Sequence, residues 1–192
     1  MNVMAVTKED VRDIFANDLN IFLSQLQIET NGKNEMEKLR QISFLIDELL
    51  KCKDLKKQFE NIIQDKSESK IKIQFLSAVR NILAHFPIYN KWEEIYLNEQ
   101  IVQWNRKSDG EIKKFFSEEN IGKEFSYIVY VKRPFITPEN KFIIKIKIPS
   151  IQEGFFLQDV ISIKDFKLTL YLIDHLLESI GIETQSTRGY SI

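Results

Sequence analysis

What most constrains this chain of 192 residues is a change of apolar period near Glu124. Upstream, apolar side chains recur at i, i+3 and i+4, the rhythm of helices with one buried face. Downstream they alternate, as on strands. From about Thr7 to Gln27 the helical rhythm is carried by Val11, Ile14, Phe15, Leu19, Phe22, Leu23 and Leu26, and Thr7 with Asp10 has the form of a capping box. Asn31-Gly32-Lys33-Asn34 interrupts it. A second helix, bearing Met36, Leu39, Ile42, Ile46, Leu49 and Leu50, is expected to reach about Lys51 and to pair antiparallel with the first. Leu55, Phe59, Ile62 and Ile63 repeat the period, as a separate short helix or as an extension of the second. The next helix carries Ile71, Phe75, Leu76, Val79, Ile82 and Leu83. A partly helical stretch with Trp92, Ile95, Leu97, Ile101, Val102 and Trp104 follows, and Ser108 with Glu111 makes a second capping box before Ile112, Phe115 and Phe116.

After Glu124 the run from Phe125 to Val131 is rich in β-formers, and Phe142, Ile144, Ile146 and Ile148 alternate with polar neighbours. The segment from Arg133 to Glu139 between them is too long for a tight turn, and Phe155 to Val160 is the candidate for a third strand. Ser162 and Asp165 then open a last helix with Phe166, Leu170, Ile173, Leu177 and Ile180, closed by Gly181. The expected fold is mainly α and α+β overall. A helical bundle over 1–120 is followed by a small antiparallel β unit and C-terminal helix over 121–182, and by a loose tail over 183–192.

Composition excludes several classes of function. No apolar run approaches the roughly 20 residues needed to span a bilayer, and Met1 to Val6 has no secretory pattern, so a soluble, cytoplasmic protein is expected, with no membrane partner. Cys52 is the only cysteine and His85 and His175 the only histidines, which leaves no disulfide, no transition-metal cluster and no expected cofactor. A net charge of −1 gives no general electrostatic hold on nucleic acid, so any such contact must be local.

The stretch Arg80-Asn81-Ile82-Leu83-Ala84-His85 concentrates the chemistry. The apolar stripe leaves Arg80, Asn81 and Ala84 outside it, and Pro87 disfavours helical geometry at Phe86, so the polar groups are expected to reach a cleft at a helix end. Histidine titrates near neutrality and can take and return a proton. The planar, permanently charged fork of arginine matches phosphate oxygens. Together they suit cleavage of RNA by its own 2′-hydroxyl, with His85 moving the proton and Arg80 holding the scissile phosphate. Asn81 and His85, four apart, share a helix face where the amide can orient the imidazole. Arg80 lies about 140° around the helix from His85 on ideal geometry, a gap for its long side chain or a frayed last turn to bridge. One copy lacks an acid for the 5′ leaving oxygen, so the chemistry favours a homodimer with a composite site.

This motif, Arg80-Asn81-x-x-x-His85 at the end of a helix in a mainly helical chain, resembles the R-x(4–6)-H signature of the HEPN superfamily (higher eukaryotes and prokaryotes nucleotide-binding). The resemblance implies a dimerising HEPN-like bundle over 1–120 and metal-independent endoribonuclease activity on an RNA substrate. It also implies a place in phage defence or a toxin–antitoxin system, with an antitoxin or another defence component as partner. It assigns Arg80 and His85 to cleavage and matches Asn81 to the polar residue that often follows the arginine. Some HEPN toxins carry a modified tyrosine two residues after the histidine; here that place is Pro87, with Tyr89 two further on. The alternative class is a non-catalytic helical dimer that binds a partner protein or a nucleotide.

Other conspicuous residues have simpler readings. His175 is expected on the surface beside the last core stripe, and Asp47-Glu48 and Glu93-Glu94 on solvated helix faces. Trp92, Tyr96 and Trp104 belong to the core or a dimer interface rather than to base stacking. Lys141, Lys145 and Lys147 share a strand face, where edge protection is preferred over contact with RNA.

Overall fold

A computed structural model describes residues 8–28, 32–63, 67–86, 88–104, 109–133 and 136–184. In chain order the elements are α1 (Lys8–Ile28), α2 (Gly32–Leu50), α3 (Lys53–Ile62), α4 (Ser69–His85), β1 (Tyr96–Leu97), α5 (Glu99–Trp104), α6 (Asp109–Phe115), β2 (Glu124–Arg133), β3 (Ile136–Lys147), β4 (Phe155–Phe156), α7 (Leu157–Val160), α8 (Ile163–Thr169) and α9 (Tyr171–Ser179). Among the described residues the architecture is mainly α with two small antiparallel sheets, α+β overall. Among the described residues no helix is long and apolar enough to cross a membrane.

The helical period sets the core. Met36, Leu39, Ile42, Ile46, Leu49 and Leu50 of α2 are buried, and so are Phe75, Leu76, Val79, Ile82 and Leu83 of α4. α2 packs on both α1 and α4, and α4 packs on α6. α3 is separate from α2, because the backbone at Cys52 turns extended (φ −73°, ψ 120°) before the helix resumes. On α1 the expected stripe is too wide. Leu19 and Leu23 are buried and Phe15 and Phe22 partly so, but Val11 and Ile14 are 40% and 56% exposed. Ala16, which the apolar stripe did not include, is fully buried instead. Thr7, half of the first expected capping box, and Ser108, half of the second, lie outside the described residues, as does the tail from residue 185.

The β-rich region forms a hairpin of β2 and β3, in register from Glu124↔Lys147 to Val131↔Asn140, with a bulge before Arg133↔Ile136. The strands therefore reach further than the sequence suggested, and only residues 134–135 connect them. Phe125, Tyr127, Val129, Ile144 and Ile146 point inward. Phe125 meets Phe75 of α4 edge-on at 5.6 Å, and the buried Tyr127 hydroxyl donates to the Lys72 carbonyl at 2.7 Å. Phe155 and Phe156 do not add a third strand to this hairpin. They pair with Tyr96 and Leu97, and residues 157–160 are helical.

The expected last helix is two. Ser162 caps α8 by accepting from the Asp165 amide at 3.0 Å. The helix then breaks at Leu170, where the buried Thr169 hydroxyl donates back to the Asp165 carbonyl at 3.0 Å, a bond that bends helices. Gly181 at φ +82° closes α9. Trp92, fully buried, joins the two halves of the chain: its indole N–H donates to the Ile161 carbonyl at 2.9 Å and its ring stacks on Phe166 at 5.0 Å. Tyr96 packs on Phe156 at 5.0 Å, while the side chain of Trp104 lies outside the described residues.

Candidate active site

The motif residues sit on the last turns of α4, whose core face leaves little freedom in where the helix goes. The helix is regular through His85, and the Phe86 amide still bonds to the Ile82 carbonyl at 3.0 Å, so the last turn is not frayed. Phe86 itself leaves helical geometry (φ −117°, ψ 61°), as a residue before proline should; Pro87 lies outside the described residues. The outgoing chain is held from α2. Arg40 donates from Nε to the Leu83 carbonyl at 3.1 Å and from Nη2 to the Tyr89 carbonyl at 2.6 Å. A cation at the α4 C-terminus satisfies a carbonyl that the helix leaves open and complements its dipole.

Arg80 and Asn81 are not both on an open face. Arg80 keeps about a fifth of its side chain exposed, but Asn81 is buried, at 3% exposure. The Asn81 amide can be buried because both ends are bonded: Oδ1 accepts from Nη1 of Arg80, and Nδ2 donates to Oε2 of Glu111 on α6. Arg80 is gripped from the other side by α2. Its Nε lies 3.8 Å from Oδ2 of Asp47, and its guanidinium stands over the Phe44 ring, 5.6 Å from the centroid. That Nε is buried and makes no hydrogen bond at this distance, so Asp47 acts on it as a charge. The Asp47 carboxylate also accepts from the Ser77 hydroxyl at 3.0 Å and lies 3.5 Å from Nζ of Lys51.

His85 is half-buried at the end of this array. Burial, aided by the neighbouring Arg80 charge, holds its pKa below the ordinary 6.5, and the Glu111 carboxylate pulls weakly the other way. The imidazole is therefore neutral at pH 7 and able to accept a proton. Arg80 and Asn81 are thus bonded in one polar cluster shared by α2, α4 and α6, with His85 near enough to feel the charges of Arg80 and Glu111.

Four contributors escaped the sequence reading: Arg40, Phe44, Asp47 and Glu111. Asp47 is 17% exposed and ion-paired, not a solvated face residue, whereas Glu93 and Glu94 are exposed as expected. A signal for the α2 set did exist, because positions 40, 44 and 47 follow i, i+4, i+7 and so line one face beside the apolar stripe. Glu111 had none, since its partner is 30 residues away. His175 is on the surface, 40% exposed, with Nδ1 3.7 Å from Glu178. Among the described residues no group of three or more His, Cys, Asp or Glu side chains is arranged to hold a metal ion. An open groove lined by Arg12, Asn17, Asn20 and Ile182 contains none of the motif residues.

No family model, no curated protein and no solved structure matches the chain.

Proposed function

We propose that the protein is a metal-independent endoribonuclease of the HEPN type, cytoplasmic and acting as a homodimer in defence or as a toxin. What carries this reading is the placement of a half-buried His85, its pKa held below the ordinary value by burial and the Arg80 charge, at the same helix end as an Arg80 positioned by Asn81, Asp47 and Phe44. His85 takes the proton of a 2′-hydroxyl, whose oxygen attacks the adjacent phosphorus. Arg80 stabilises the charge that builds on the phosphoryl oxygens. The 5′ oxygen leaves with a proton from the second protomer's His85 in its imidazolium form, the minor species at pH 7, and a 2′,3′-cyclic phosphate remains, while the first His85 keeps the proton of the 2′-hydroxyl. Asn81, tied to Glu111, limits where Arg80 can swing.

One observation favours a second reading, a non-catalytic helical dimer that binds a partner protein or nucleotide. The ion pair of Arg80 with Asp47 and the hydrogen bond of Asn81 to Glu111 also link α2, α4 and α6, which is a structural task in its own right. Incubating the parent protein, Arg80→Ala and His85→Ala with mixed RNA in chelator separates the two. Cleavage by the parent alone, leaving 2′,3′-cyclic ends, is the expected result; no cleavage, or equal cleavage by all three, refutes the nuclease.

A further inference from the structure

The solvent face of the β2–β3 hairpin is built unlike a merely solvated surface. The register places Glu124, Ser126, Ile128 and Tyr130 of β2 opposite Lys147, Lys145, Ile143 and Lys141 of β3 on that face. Ile128, Tyr130 and Ile143 are 41%, 37% and 55% exposed, and the three lysines surrounding them are exposed as well. Charges alone would protect a strand edge; they give no reason for two isoleucines and a tyrosine ring facing water between them. Among the side chains described on this face, three cations stand against the carboxylate of Glu124 and make it basic in a chain of net charge −1.

We infer that this face is a docking surface for single-stranded RNA, separate from the motif at the end of α4. At a strand rise of about 3.4 Å per residue, Lys145 and Lys147 stand about 7 Å apart and Lys141 and Lys147 about 20 Å apart, a row of cations that can follow a phosphate backbone. Tyr130, beside Lys141 and next to the Ile128–Ile143 pair, offers a ring on which an unpaired base stacks. A duplex hides its base faces, so the surface suits single strands. A lipid surface fits less well, because lysines punctuate the apolar residues along β3 and leave no continuous apolar face to insert. The hairpin is anchored at Lys72, thirteen residues before His85 on α4, or about 20 Å along the helix at 1.5 Å per residue. RNA held on this face is therefore bound away from the chemistry. The inference takes its choice of polyanion from the ribonuclease reading, but its test does not depend on cleavage.

The test measures fluorescence anisotropy of a labelled single-stranded RNA of about 12 nucleotides, a length typical of such grooves. It uses the full chain carrying His85→Ala, alone and combined with Lys141→Gln, Lys145→Gln and Lys147→Gln, or with Tyr130→Ala. Losing three phosphate contacts should weaken binding about ten-fold or more and lower the salt slope by about 2, at roughly 0.7 per contact. Losing the ring should weaken it about five-fold or more. Unchanged melting curves, expected at exposed positions, exclude misfolding as the cause. Unchanged affinity and slope in the lysine variant, or no RNA binding by either protein, overturns the inference. So does lysine-dependent binding to anionic phospholipid vesicles but not to RNA. Hairpin-dependent binding without cleavage by the parent leaves the inference standing and removes the nuclease; cleavage with hairpin-independent binding does the reverse.

Discussion

The Arg80–Asp47 pair offers a sharp test of how the site is held. At 3.8 Å, two unit charges attract by about 4 kcal/mol at an effective dielectric constant near 20. With side chains 19% and 17% exposed, desolvation and solvent screening offset most of that. About 1–2 kcal/mol should remain as coupling. A double-mutant cycle of Asp47→Ala, Arg80→Ala and the double variant isolates it, read from urea unfolding midpoints at constant slope. Asp47→Ala should lower the melting temperature by about 2–8 °C, at roughly 2–4 °C per kcal/mol for a chain of this size. Asp47→Asn keeps an acceptor for the Ser77 hydroxyl and should recover part of the loss, which separates the charge from the hydrogen bond. The reasoning fails if the coupling is below about 0.3 kcal/mol, the level at which independent sites add. Stabilisation of the protein by Asp47→Ala would refute it outright.

Two further outcomes follow from local geometry. His85 should titrate below 6.5 by NMR, moving up in Arg80→Ala and further down in Glu111→Gln. Because its folded pKa is depressed, the unfolded chain takes the proton first; His85 then leaves stability unchanged above pH 6.5 and lowers it as pH falls through the folded midpoint. A midpoint at or above 6.5 contradicts the buried environment. Gly154 sits at φ +75°, and an added Cβ would lie 2.2 Å from the Tyr96 hydroxyl oxygen, on a ring already packed against Phe156. Gly154→Ala should destabilise by about 1–2 kcal/mol from the left-handed backbone alone, with more from the displaced ring, and an unchanged unfolding midpoint would rule that conformation out.

The sequence alone determined the helices of the bundle, most of their buried faces and the switch to strands, because period is a local property that each segment expresses without its neighbours. It also singled out Arg80, Asn81 and His85 and the end of their helix. It could not say that Asn81 is buried, that Asp47 faces inward, or that Glu111 closes the chain of bonds through Asn81 and Arg80. Helical periodicity marks which residues share a face, but not which polar side chain beside that face will meet an opposite charge from another helix. The same limit explains β4, whose two phenylalanines read as part of a third hairpin strand and pair instead with Tyr96 and Leu97. In the hairpin, alternation identified the lysine face. Only the pairing of β2 with β3 set Tyr130 and the two isoleucines among those lysines, because strand register is decided by which face the rest of the protein buries.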